Sequence, residues 1–312
     1  MKFYLVVNPV SGGGKGNAIA TKFVENLVKN DELGAIFYTA KINDFHNMLP
    51  KIVKKIKRDN YKNYRLVIIG GDGTFSEVVC ELVKNNVELP ISYYPAGTGN
   101  DFNREIKQEE NIEKWLKHQK SLETAKVLEF LDIKSGFDSR KVAINSIGIG
   151  IDADVCHSVE KSNVKELLNK VKLGKYTYLT LLLKHLPIRK DFSCNIKLGD
   201  EKKFVENVLL MNIANHGYFG GGIKIAPQAK QNNHSMTLVI LQNDKIRKLI
   251  PAALKLLNKK KDHFEHRLFS YYETNKLELE LLDKVNVQID GEPLYLENNK
   301  IVLELATYPL WY

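Results

Sequence analysis

Leu66-Val67-Ile68-Ile69-Gly70-Gly71-Asp72-Gly73-Thr74-Phe75-Ser76-Glu77 reads as an apolar strand that ends on a glycine-rich turn and enters a helix at once. Four successive apolar residues ask for burial on both faces, which a parallel sheet covered by helices provides. Three glycines let backbone or ligand come close to the strand end. A plain β-to-α turn needs about one glycine, so the surplus, together with the hydroxyls of Thr74 and Ser76, suits a phosphate. Asp72 is placed to meet a phosphate-bound Mg²⁺ directly or through water.

The surrounding sequence repeats this grammar. Phe3 to Val7, Ala35 to Tyr38 and Ile91 to Tyr94 are further short apolar runs, separated by amphipathic stretches from Asn17 to Lys29 and Phe45 to Lys57. Strands alternating with helices predict an open α/β sheet of parallel strands with right-handed crossovers, whose ligands bind at the carboxyl ends of the strands. Two more such ends carry small and polar residues: Asn8-Pro9-Val10-Ser11-Gly12-Gly13-Gly14-Lys15-Gly16 and Pro95-Ala96-Gly97-Thr98-Gly99-Asn100-Asp101-Phe102. The first fits neither the P-loop nor the dinucleotide-binding spacing. The three loops are expected to form one anion-binding rim.

From about Val127 the pattern changes to alternating, β-rich runs. Val127 to Lys134 with Lys141 to Ile147, and Phe192 to Leu198 with Phe204 to Asn212, are hairpin candidates. Helices are predicted over Val164 to Leu186 and over Lys245 to Leu257, the latter kinked at Pro251. The expected organisation is a nucleotide-binding α/β domain over 1–125 and an antiparallel β-rich sandwich over 126–305, with the tail 306–312 returning to pack on the first domain.

Composition narrows the function classes. The chain has 312 residues, 46 Lys and Arg against 37 Asp and Glu, and a formal charge of +9. That balance favours anionic surfaces and nucleotides, but the lysines are spread over most predicted helices without the arginine and aromatic interleaving of nucleic-acid modules. No nucleic-acid partner is expected. Cys80, Cys156 and Cys194 are too few and too scattered for a disulfide framework or zinc site. No apolar run reaches membrane-spanning length and no secretory leader is legible, so the expected location is cytoplasmic, at most peripheral to the inner face of a membrane. The segment from Glu160 to Asp191, with lysines around apolar residues, reads as a solvated helix or as a membrane-facing element. The eight histidines show no paired metal spacing, and a homodimer is left open.

The set NPVSGGGKG (8–16), GGDGTFSE (70–77) and PAGTGNDF (95–102) closely resembles the diacylglycerol kinase catalytic-domain family, which includes bacterial lipid kinases and sphingosine kinases. NAD kinases are more distant relatives that share the GGDGT loop. IGIGIDADV (147–155), NHGYFGGGIKIAP (215–227) and DGEPL (290–294) look like further family blocks, so the resemblance runs nearly end to end. It implies an ATP-dependent lipid kinase of phospholipid biosynthesis, with ATP on the first domain and a lipid reached in the cleft between the two. Carried over position by position, Asn8, Pro9, Ser11, Gly12, Thr39, Gly71, Asp72, Gly73, Thr74, Glu77, Thr98, Asn100 and Asp101 would serve the nucleotide and its polar surroundings. Asp290 would be the general base, with Glu292 beside it. On the residues alone, Asp290-Gly291 is an ordinary turn after the strand Val285 to Ile289.

One departure stands out. Where many bacterial members carry an acidic pair that holds a structural Mg²⁺, this chain has Asn232 and Asn233, followed by His234. Amide oxygens are poor ligands for a hard dication, so this metal is not expected, whereas the Mg²⁺ that accompanies ATP is. Two alternatives to a lipid kinase follow: a regulatory nucleotide- or lipid-binding protein without turnover, and a kinase of a soluble metabolite such as NAD.

Overall fold

The computed structural model describes residues 1–39, 44–59, 63–161, 174–256 and 266–312, of which 159–161 and 174–177 are described by backbone alone. Contacts divide them into two compact units, Met1–Leu128 with Thr307–Tyr312, and Glu129–Ala306.

In the first unit, strands β1 (Lys2–Val7), β2 (Leu33–Tyr38), β3 (Tyr64–Gly70) and β4 (Ile91–Pro95) pair in parallel in the order β2-β1-β3-β4. The near-continuous burial of β1 and β3 follows from helices on the sheet. Helix α1 (Ser11–Lys29) buries Ala20, Phe23 and Leu27 against Phe3, Leu5, Val67 and Ile69. Helix α2 (Asp44–Asp59) buries Phe45, Leu49, Ile52 and Ile56, an i, i+4, i+7 stripe. Helix α3 (Asp72–Lys84) begins where the second glycine loop ends. The short helix α4 (Asp101–Ile106) follows the third loop, and α5 (Ile112–Ser121) is capped by the Asn111 side chain, which accepts from Lys114 N–H.

The end of the chain completes this sheet. Leu310 and Trp311 pair in parallel with Ile91 and Ser92. The buried Arg65 guanidinium lies 3.7 Å under the Trp311 ring and donates to the carbonyls of Gln119 and Leu122. Tyr308 donates to the carbonyls of Val87 and Leu89.

The second unit is antiparallel. β8 (Phe192–Leu198) and β9 (Glu201–Ala214) form the expected hairpin across Gly199-Asp200, from Leu198 opposite Glu201 to Phe192 opposite Val208. The far half of β9 pairs with β7 (Ser146–Gly150) on one side and β12 (Met236–Gln242) on the other; β12 pairs in turn with β13 (Phe269–Thr274), and β10 (Tyr218–Phe219) with β11 (Ile223–Lys224) forms a separate short ladder. β14 (Lys276–Leu281) lies between β8 and Lys300–Glu304 of β17 (Lys300–Trp311). Alternating burial along β14 sends Leu277, Leu279 and Leu281 into the core shared with Ile147, Ile196, Met211, Leu238 and Leu303. The outer faces of β9 and β12 are covered by α6 (Ile151–Lys161), α7 (Gly174–His185) and α8 (Ile246–Lys255), which keeps Pro251 within it.

The other hairpin differs from its sequence reading. β5 (Lys126–Ser135) pairs with β6 (Lys141–Ala143) only from Leu131 to Ile133. The chain then leaves the ladder at Ile144-Asn145, and Ser146 to Gly150 becomes a separate strand paired with β9 and with β15 (Val287–Ile289). The amides freed at this break hold a carboxylate, as described below. Residues 162–173, part of the candidate membrane-facing segment Glu160 to Asp191, lie outside the described residues.

Candidate active site

The three glycine loops meet at the carboxyl ends of β1, β3 and β4. Asn8 Nδ2 donates to Thr74 Oγ1 at 2.8 Å, and Asn8 N–H donates to the Ile69 carbonyl at 2.9 Å. Ala96 N–H donates to the Gly70 carbonyl at 2.7 Å, and Thr39 N–H to that of Val7 at 2.9 Å. These bonds bring Asn8, Thr39, Thr74 and the third loop to one edge of the sheet. Close packing explains the glycines: a Cβ on Gly12, whose φ is +60°, would sit 2.2 Å from the Ala96 carbonyl oxygen, and one on Gly97 would sit 2.7 Å from Gly71 Cα. The positive φ angles of Gly12, Gly13 and Gly14 delay the regular part of α1, so Pro9, Ser11 and Gly12 belong to the rim.

Asp72 and Gly73 open α3, with Thr74 and Glu77 in its first turns. The Asp72 carboxylate ties the second loop to the third: Asp101 N–H donates to Oδ2 at 2.9 Å, and Tyr93 O–H donates to Oδ1 at 3.3 Å. Burial, reinforced by Asp72 and Asp101, holds the Tyr93 phenol well above its ordinary pKa, so it remains a donor. Phe75 stacks on Phe102 at 5.2 Å and packs against Tyr93 at 4.6 Å beneath these groups. Asn100 adopts a left-handed conformation (φ 51°) and donates to the Gly97 carbonyl, leaving Thr98 exposed on the loop. Asp101 accepts from Arg104 at 3.0 Å. The N-terminus of α3 favours a phosphate here, and a carboxylate such as that of Asp72 is the donor type a hard dication prefers.

In the second unit Asp290 and Gly291 join β15 to β16 (Glu292–Leu294) by a two-residue turn, with Ile289 opposite Glu292. Their φ values of 50° and 86° are both positive, as a type I′ turn requires. The turn reading and the functional reading thus fall on the same residues. The Asp290 carboxylate accepts the N–H groups of Ile144, Asn145 and Ser146 at 2.8, 2.7 and 3.0 Å, and the Asp290 N–H donates to the Ser146 carbonyl. Glu292 is exposed. Of the two carboxylates, one is held by backbone and the other is presented to its surroundings.

Residues that the sequence reading did not single out support this arrangement. Asn215 Nδ2 donates to the carbonyls of Ile144 and Glu129, and Asn215 N–H to that of Asn145. His216 is fully buried, and burial pushes its pKa down to about 3. Its neutral ring accepts from Tyr218 N–H at Nδ1 and donates from Nε2 to Asn145 Oδ1 at 2.7 Å, a tautomer assigned from these partners. The Asn-His pair opens the 215–227 block, which was the available signal.

The loop with Asn232 and Asn233 does not fit a structural cation. Asn232 Oδ1 accepts from Glu129 N–H and from Gln231 Nε2, both at 3.2 Å, and Asn233 Nδ2 donates to Ser235. The buried Glu129 carboxylate accepts His234 N–H at 3.1 Å and faces His234 Nδ1 at 2.5 Å. The Asn232 amide oxygen and the Glu129 carboxylate are thus turned to protein donors rather than to a dication.

Residues 2–130 match the diacylglycerol kinase catalytic domain model, and residues 145–299 match the YegS C-terminal NAD kinase beta sandwich-like domain. The chain is 27% identical over 297 residues to "Putative lipid kinase YtlR" of Bacillus subtilis, covering 93% of both chains. It is 24% identical over 295 residues to a diacylglycerol kinase of Staphylococcus carnosus, covering 92% of this chain and 87% of that one. In fold it is similar to the crystal structure of "a putative diacylglycerol kinase" from Bacillus anthracis, with a TM-score of 0.74 at 22% identity over 100% of this chain and 95% of that chain. Two family models that together span most of the sequence, on an α/β unit followed by an antiparallel one, show that this chain belongs to the diacylglycerol kinase catalytic-domain family.

Proposed function

We propose that this protein transfers the γ-phosphate of ATP to a hydroxyl group of a lipid. The observation that carries this reading is the rim of three loops locked together by glycine contacts at the ends of β1, β3 and β4. Family membership and the lipid-kinase names of the relatives support a lipid acceptor. Diacylglycerol is the first candidate, followed by other lipid alcohols.

Phosphoryl transfer asks a protein mainly for positioning, charge neutralisation and an acceptor for the hydroxyl proton. The loop amides and the start of α3 would hold the phosphates, and Lys15 at the first regular turn of α1 adds a cation. Asp72 would hold the Mg²⁺ that accompanies ATP, which neutralises charge on the phosphates. Glu292 is the proton acceptor in this proposal, because three amides occupy the Asp290 carboxylate whereas Glu292 is exposed two residues on. Asp290 then fixes the turn that carries Glu292.

Incubating purified protein with γ-labelled ATP, Mg²⁺ and a panel of dispersed lipid alcohols, with NAD in parallel, tests this reading. Labelled lipid and unlabelled NAD are expected. Labelled NAD would favour a metabolite kinase, and ATP binding without any labelled product would favour a regulatory binding protein.

Contact with a lipid surface belongs to the same proposal. No described helix is long and apolar enough to cross a membrane. Ile246, Ile250 and Leu254 form an exposed stripe on α8, and Ile188, 74% exposed, sits on the short turn packed against that helix. Lys190, Lys245 and Arg247 are exposed around them. Apolar residues rimmed by cations suit an anionic lipid surface. Co-sedimentation with vesicles containing phosphatidylglycerol should fall at least tenfold in an Ile250→Asp/Leu254→Asp variant; equal binding would remove α8 from this role.

A further inference from the structure

The mechanism above leaves unused a buried carboxylate in the second unit. Asp152, in the first turn of α6, is 1% exposed. Its Oδ1 accepts Tyr178 O–H from α7 at 2.5 Å, and its Oδ2 accepts Gln288 Nε2 from β15 at 2.9 Å. The other end of the same Gln288 amide, Oε1, accepts Gly291 N–H at 2.7 Å. Gly291 is the second residue of the Asp290-Gly291 turn, and Glu292 follows it.

From these contacts we infer that Asp152 is a positioning residue, the fixed end of a hydrogen-bond chain from Tyr178 through Gln288 that sets the turn carrying Glu292. The inference rests on the proposed role of Glu292.

The chemistry is directional. A carboxylate only accepts, so it selects the NH₂ end of Gln288 and leaves the carbonyl end for the turn amide. Without Asp152 that side-chain amide could equally turn its NH₂ towards Gly291 N–H, donor facing donor. Burial raises the Asp152 carboxyl above its ordinary pKa, while bonds from Tyr178, Gln288 and Asn212 pull it back. The Tyr178 phenol is pushed well above its usual value by burial and then by Asp152, so it stays a donor.

The packing around the chain gives independent reasons for residues that the family blocks contain. Asp152 and Gln288 cross over Gly148, where a Cβ would stand 1.8 Å from Asp152 Oδ2 and 2.4 Å from Gln288 Nε2. The Tyr178 ring lies edge-on to Phe219 at 5.0 Å and covers Gly220, where a Cβ would meet ring carbons at 3.2 to 3.4 Å. Gly148, Asp152, Phe219, Gly220 and the Asp290 turn, from three separate sequence blocks, thus converge on one feature.

Three substitutions test the chain: Asp152→Asn, Gln288→Met and the mild Tyr178→Phe, which removes one hydroxyl. The first readout is hydrogen exchange of the Gly291 amide in glycine-labelled protein, with Lys184→Ala, an exposed change on the same helix as Tyr178, as control. Exchange should accelerate about tenfold or more in Asp152→Asn and Gln288→Met and severalfold in Tyr178→Phe, with the control unchanged. The second is steady-state phosphorylation of the accepted lipid, where kcat should fall about ten- to a hundredfold while nucleotide Kd stays constant. A Gly291 amide that exchanges at the wild-type rate in all three variants overturns the inference, as does a loss of nucleotide binding that parallels the loss of kcat. Altered exchange in a protein whose wild type phosphorylates no lipid upholds the chain and overturns the kinase reading instead.

Discussion

The glycine rim and the acidic turn reach similar definition by opposite means. The rim is made of backbone against backbone: glycines let Gly12 approach Ala96 and Gly71 approach Gly97, and main-chain bonds join the loops. The turn is made of side chains. Asp290 gathers three amides, Asn215 and His216 hold the segment that supplies them, and Gln288 reaches the turn from below. A backbone site fails when a side chain is added, whereas a side-chain site fails when one is removed or changes charge. The two should therefore break under different perturbations.

The largest effect is expected at Gly12→Val. Its Cβ would fall inside contact distance of a carbonyl at a left-handed φ, so nucleotide binding should drop at least a hundredfold, as read by titration with a fluorescent ATP analogue. Near-normal binding would show that the rim yields and that the glycine contacts do not define it. Asp290→Ala comes next. It strands three amides and should cost about 2–4 kcal/mol in denaturant unfolding while leaving the nucleotide affinity of the rim unchanged.

A smaller effect lies within the second unit and is read by pH. His216 takes up a proton only near pH 3 in the folded state, against an ordinary value of 6.5, so the unfolded chain binds the proton first as pH falls. Stability should decline between those limits and be fully present above 6.5. Asp152 acts in the opposite sense: its raised value means that its contribution is lost as pH rises. The difference between wild type and His216→Gln isolates the histidine, and the variant should show the flatter acid limb. Smallest of all, Trp311→Leu removes the ring over Arg65 and should cost about 1–2 kcal/mol with no change in the second unit's exchange pattern.

The same contrast explains what was legible in the sequence. Apolar runs such as Leu66 to Ile69 announce parallel strands, and glycine clusters after them announce the rim, because both are written in consecutive residues. The turn is also legible as Asp290-Gly291, but its use is not. The amides that occupy Asp290 belong to residues 144–146, and nothing local to Ile144-Asn145 marks a break in a strand. Asp152 and Gln288 are ordinary polar residues until folding places them 2.9 Å apart. Only Gln288, flanked by Val287 and Ile289 in an apolar strand, carried a local hint. The hydrogen bonding of Asp290 depends on these distant partners, which is why the residues alone read as a turn and the role of base came only with the family resemblance.

The central claim, that a lipid kinase uses Glu292 on a turn fixed by Asp290, is tested most directly by single-turnover transfer of labelled γ-phosphate from bound ATP to the accepted lipid. Glu292→Gln and Asp290→Asn would be compared at matched folded fraction and nucleotide occupancy. Glu292→Gln should slow transfer by about two to four orders of magnitude with no loss of stability, and Asp290→Asn should lose stability as well as rate. Unimpaired transfer in Glu292→Gln, beside abolished transfer in a stable Asp290→Asn protein, would contradict the account and return the base to Asp290.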